Sequence, residues 1–346
     1  MTDIGRNARE IREQRLLDIR REAQKNGIVH SASEPRTSLS GASAENGYYG
    51  RPLLKKPQWT VEVPIYFFVG GVAGAASVIA AVGAMSSADE KLIRQARWLA
   101  AIGGIISPAL LISDLGMPSR FLNMLRVFKI QSAMSVGSWT LVAFSNSATA
   151  SAVLGELRRR RPNRTVNVLT DAAQAAATLT GMILATYTGV LIGATAIPAW
   201  NEHVGTLPLH FGASGTAAAA SILELAGNDS EALNRIALGA SVLETFMGAV
   251  LELGTTPGTE PLRHGTSGFA MRGAGLLSGP VPLALRLLSL RSRSRKHGLR
   301  RAAAISSVVG SLLTRWAWVR AGTESAKDPR VPLEIGKKTV PRIAIL

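Results

Sequence analysis

Long runs of apolar and small residues, separated by short polar stretches, dominate the chain from residue 59 onward. About 20 such residues, rising ~1.5 Å each, cross a bilayer core. The pattern predicts spans near 64–85, 97–115, 136–155, 171–197, 209–227, 235–254, 273–290 and 302–320. The expected fold is an all-α integral membrane protein of about eight transmembrane helices. Small residues crowd the runs, as in GGVAGAAS at 70–77 and GASGTAAAAS at 212–221. Such residues let helix backbones approach closely. Pro108, Pro198 and Pro280 are candidate helix breaks.

Outside the runs, residues 1–58 form a basic polar tail, with a charged surface helix expected over 6–26 and irregular chain over 31–50. Nothing there reads as a cleavable signal peptide. Residues 59–200 and 201–320 are read as two successive four-span halves, and 321–346 as a C-terminal tail. The six tryptophans lie near predicted span ends, where the indole ring prefers the headgroup layer.

Charge sharpens the picture. The 346 residues include 39 Lys and Arg against 23 Asp and Glu, a formal charge of +16. These cations sit in blocks between apolar runs, Arg158 to Arg161 among them, so they read as topology anchors facing lipid rather than a nucleic-acid surface. An even number of spans puts both tails on one side. The short-loop cations place that side outside, although the basic N-terminal tail argues for the reverse. No cysteine is present, which removes thiolate metal and cluster sites. None of the five histidines lies deep in a span, so a haem held between helices is not expected.

Ionisable residues within spans are costly and mark sites. Asp114, Glu62, Tyr187, His203, His210, Glu252 and Arg315 fall toward the tail side by depth. They suggest a polar recess for a head group, with Asp114, Glu62 and His203 as candidates for proton exchange. Tyr187 is deep in its span, where a phenol can donate to a quinone carbonyl or simply bond a neighbouring helix. Glu244 and Glu252, eight apart, share a helix face. With Glu224 and Arg286 they are candidates for a proton path, or for charge pairs that fix packing. Three functions stay open on the residues alone: a quinone-reactive subunit, an ion or solute translocator, and a passive anchor.

Three segments carry a family resemblance: VEVPIYFFVGGVAGAAS (61–77), LISDLGMPSRFLNMLRVFKIQSAMSVGSW (111–139) and TYTGVLIGATAIPAWNEHVGTLPLHFGASGTAAAAS (186–221). They resemble the polysulfide reductase NrfD family of membrane subunits. The resemblance implies two four-helix bundles in a bacterial cytoplasmic membrane. It implies exchange of electrons between menaquinone or ubiquinone and a ferredoxin-like iron–sulfur subunit that serves a molybdopterin-type catalytic subunit. No haem or metal is implied in this chain. Tyr187 would hold the quinone head, Asp114 would lie at the same face, and Arg120, Phe121, Asn123 and Arg126 would help to dock the iron–sulfur partner.

Overall fold

A computed structural model describes Asp18 and residues 54–327, except 58, 118, 255–259 and 293. The chain divides into two units, 1–51 and Pro52–Leu346. Asp18 apart, the surface helix expected over 6–26 and the irregular stretch 31–50 lie outside the described residues. So does most of the C-terminal tail.

The described part of the second unit is helical, with no strand among its described residues. The long helices are α1 (Glu62–Met85), α2 (Glu90–Asp114), α4 (Ala133–Arg160), α5 (Arg164–Gly193), α7 (Leu207–Leu225), α8 (Glu231–Leu253) and α12 (Lys296–Ser325). Short helices α3 (Ser119–Met124), α6 (Pro198–Asn201) and α9 (Glu260–Arg263) lie between them. The expected span 273–290 is instead two helices, α10 (Gly265–Ser278) and α11 (Pro280–Arg291), broken at Gly279. Six segments are long and apolar enough to cross a membrane: α1, α2, α5, α8, α10 with α11, and α12. The chain is a multi-pass membrane protein. By that measure α4 and α7 fall short, though they run 28 and 19 residues. Ser, Thr and Gly replace larger apolar side chains in both.

Local chemistry sets the helix ends. Asp89, Ser132 and Asn163 cap α2, α4 and α5 by accepting backbone N–H bonds from Lys91, Ser135 and Val166. Gly227 closes α7 at φ +87°, a left-handed conformation that glycine adopts without strain. Arg158, Arg159 and Arg160 occupy the last turn of α4, where cations oppose the helix dipole.

Helices α1, α2, α4 and α5 pack on one another, as do α7, α8, α10, α11 and α12. Helix α1 also touches α7 and α12, and α5 touches α7, so α1 and α5 form the seam between the groups. The approach of α1 to α5 requires glycine: a Cβ on Gly74 would stand 2.4 Å from the Gly181 carbonyl oxygen. The first turn of α1 and the last turns of α12 line one surface cleft.

Two prolines act differently. Pro108 sits inside an unbroken α2. It has no N–H to give the Gly104 carbonyl one turn earlier, and lipid offers no substitute. The Ser145 hydroxyl of α4 lies 2.6 Å from that carbonyl. Ser145→Ala is expected to cost about 1 kcal/mol in a detergent unfolding titration; an unchanged midpoint would show that the carbonyl needs no partner. Pro280, by contrast, starts a new helix. There the Leu277 carbonyl accepts from Ser306 of α12 at 2.8 Å, and Gly310 leaves room for the break to bed against α12.

The interfacial reading of the tryptophans fails for two of them. Trp200 and Trp318 are fully buried, and the Trp200 indole N–H donates to the Trp318 carbonyl at 2.8 Å. Trp98, Trp139 and Trp316 remain more than a third exposed.

Candidate functional site

Tyr187 and Asp114 wall one cavity of about 110 Å³. Helix α1 supplies Val63, Tyr66 and Phe67, preceded by Trp59. The end of α2 supplies Leu111 and Asp114, α3 supplies Met124, α4 supplies Met134, Gly137 and Ser138, and α5 supplies Tyr187 and Leu191. The walls are apolar apart from a few polar groups, the usual make-up of a site for an amphipathic ligand.

Register places Tyr187. Leu184, Tyr187 and Thr188 are buried on the inward face of α5. The phenol crosses to α4 at Gly137, where an added Cβ would lie 1.8 Å from the ring. Tyr187 is 5% exposed. Among the described residues its hydroxyl has no hydrogen-bond partner, and neither does that of Tyr66. Buried hydroxyls normally find a partner, so the arrangement leaves a donor free for a ligand.

Asp114 ends α2 against the start of α1. Its Oδ1 accepts from the Thr60 backbone N–H at 3.2 Å and the Thr60 hydroxyl at 2.5 Å. Oδ2 is free of such bonds among the described residues. One oxygen is thus fixed while the other can hold or pass a proton.

The other expected members are elsewhere. Glu62, two residues from Thr60, does not line the cavity. His203 lies beyond α6, with Nδ1–H donating to the Ala199 carbonyl at 2.9 Å and its ring edge-on to Trp318. Burial pushes the His203 imidazole below its ordinary range, against the opposing pull of the Ala199 carbonyl and Glu202. Of the expected docking residues, Arg120, Asn123 and Arg126 are exposed, whereas Phe121 is 7% exposed and packs inward. Met117, Leu122, Phe128 and Ile130 lie exposed beside those cations.

The four expected path residues fall in two places, Arg286 with Glu224 and, on the wall of a second cavity, Glu244 with Glu252. Arg286 forks onto both oxygens of Glu224, at 3.0 and 2.8 Å, and also reaches Asn234 and Ser221. Glu252 pairs with Arg272. Glu244 faces His210 at 3.3 Å. Buried Arg315, close by, bonds Ser214, Ser311 and the Phe211 carbonyl. Among the described residues no three His, Asp or Glu side chains gather as a metal-binding group.

Sequence reading missed Thr60, Tyr66, Gly137, Asn234 and Ser221. Tyr66 carried a signal: it falls one turn after Val63 on the face that Phe67 and Gly70 also bury. Gly137 was one small residue among many.

No curated protein matches the chain. Residues 54–324 match the family model described as polysulphide reductase, NrfD.

Proposed function

Because the chain belongs to the polysulphide reductase NrfD family, we propose that it is the quinone-reactive membrane subunit of a multisubunit oxidoreductase. The observation that carries this is the partnerless Tyr187 hydroxyl, buried in an apolar-walled cavity beside the half-anchored carboxylate of Asp114. Quinone, either menaquinone or ubiquinone, would supply the two-electron, two-proton chemistry. Tyr187 donates to one carbonyl of the head. Asp114, through Oδ2, accepts or returns a proton. Val63, Phe67, Leu111 and Leu191 keep water from the ring.

A cavity of 110 Å³ is smaller than the roughly 300 Å³ at which small-molecule sites begin. A ring therefore seats only when Met124 and Met134 move. Both are unbranched and repack readily, and Met134 is 59% exposed.

Electrons pass to or from an iron–sulfur, ferredoxin-like partner, which in turn serves a molybdopterin-type subunit. The surface beside the site fits that dock: exposed Arg120 and Arg126 frame exposed Leu122, Phe128 and Ile130. The start of α1 and the last turns of α12 also lie beside it.

Trp59 walls the cavity, so its fluorescence reports occupancy. A decyl-substituted benzoquinone is expected to quench saturably. Tyr187→Phe and Asp114→Asn are each expected to weaken binding about tenfold, one hydrogen bond's worth to a charged or buried group. Unaltered binding in both folded variants would sink the assignment.

A further inference from the structure

The cavity walled by Glu244 and Glu252 measures about 380 Å³ and opens between α8 and α10. Both helices lie in segments apolar and long enough to cross a membrane, and the rim residues Ala249 and Leu276 are exposed. Its mouth therefore faces lipid. The volume falls within the roughly 300–1,000 Å³ of small-molecule sites.

One end of this cavity carries a lone charge. Arg263, just before α10, donates through Nη1 to the carbonyl of Gly254, just after α8, at 2.8 Å. The cation therefore sits where both helices end, at the level of lipid headgroups. It is partly buried, and its Nε–H is enclosed without a partner. Among the described residues no carboxylate pairs with it. Capping the end of α8 accounts for Nη1 alone. A sheltered guanidinium is costly without an anion. Arg286 and Arg300, also sheltered, both meet carboxylates, of Glu224 and of Asp229 with Glu231.

The other charges on the wall are answered. Arg272 pairs with Glu252 at the mouth. Glu244 closes the inner end with His210; its side chain is 0% exposed and stands 3.3 Å from the imidazole, with Arg315 behind it. No carboxylate on the described wall faces the space unopposed, and Arg263 remains the unanswered charge. From there the wall runs inward over Leu251, Leu262, Met271, Gly275 and Leu276, an apolar lining. A cation at headgroup level above an apolar slot open to lipid fits an anionic amphiphile.

We propose that this cavity binds an acidic membrane lipid, its anionic head against Arg263 and an acyl chain between α8 and α10. A phosphodiester and a carboxylate present the same oxyanion to a guanidinium, so an acidic phospholipid and a fatty acid share this chemistry. Arg272, held to Glu252 through Nη2, keeps further N–H groups for the same head. The proposal goes beyond the Tyr187 site and does not depend on it.

The test uses the full chain in phosphatidylcholine nanodiscs with three probes in turn: phosphatidylglycerol, a fatty acid and phosphatidylcholine, each with a diazirine in an acyl chain. After irradiation, adducts are mapped by mass spectrometry. At least one acidic probe is expected to label 245–252 and 271–280 saturably, about tenfold above the phosphatidylcholine probe. The stronger of the two acidic probes identifies the source. Arg263→Gln is expected to cut that labelling about tenfold, and Arg263→Lys, which keeps the charge, to retain most of it. Gly275→Leu supplies an arm that leaves the cation intact. Gly275 lines the cavity, and a Cβ there meets nothing within 4 Å, so leucine fills the space without a clash. It is expected to abolish the labelling. Equal labelling by the acidic and phosphatidylcholine probes, or labelling undiminished in folded Arg263→Gln or in Gly275→Leu, overturns the proposal.

Discussion

Arg286→Leu is expected to destabilise the protein by about 3–5 kcal/mol, the cost of stranding one partner of a buried pair. The Arg286 side chain is 0% exposed and that of Glu224 9%. Its removal leaves the Glu224 carboxylate without its two-pronged partner, and the Asn234 and Ser221 side chains without a donor. The double variant Arg286→Leu with Glu224→Leu is expected to recover most of the loss, because no charge remains to be buried. Unfolding in detergent, followed by tryptophan fluorescence, gives both numbers. A single variant as stable as the parent would mean that Glu224 is hydrated or protonated, and that the cluster does not hold α7, α8 and α11 together.

Gly137→Ala is expected to have the largest effect on ligand binding of any single methyl. Its Cβ would fall 1.8 Å from Cζ and 1.9 Å from the hydroxyl oxygen of Tyr187, at the hydroxyl-bearing end of the phenol. The ring must rotate out of the cavity, at an overpacking cost of about 1–3 kcal/mol. Quinone binding should fall at least as far as in Tyr187→Phe, which loses the hydroxyl but keeps the ring. Adding Tyr187→Leu to Gly137→Ala removes the clash, so stability should return while binding does not. If stability and binding return together, Tyr187 is a packing residue and the phenol plays no part in recognition.

Much of the fold was legible because the bilayer imposes a length on every apolar run. The small-residue runs over α4 and α7 were read correctly as helices, though neither is among the six segments apolar enough to cross a membrane. Pro280 was named as a candidate break and is one, but Pro108, named beside it, is not, since the two look alike in sequence. A hydroxyl of another helix meets a carbonyl at both; they differ in that α2 runs on past Pro108 while the backbone turns out of helix at Gly279 before Pro280. Depth along the membrane was also readable, which is why Tyr187 and Asp114 could be placed at one level. Direction around each helix axis was not. That missing coordinate separates Asp114, on the cavity wall, from Glu62 and His203, which the sequence placed at the same level and the structure places off that wall. It also hid the pairing of Arg286 with Glu224 and turned Phe121 inward.

Helix α1 is the most apolar of the six candidate spans and also the most deeply covered by protein, with 67% of its membrane window buried. Its hydrophobicity is thus spent less on contact with lipid than on entry into the bilayer. During synthesis it precedes every other described span and can partition into lipid alone. Helices α4 and α7, with their hydroxyl-rich faces, then find in it and its neighbours a surface already seated in the membrane. The helix that needs lipid least in the finished protein is the one that biogenesis needs first.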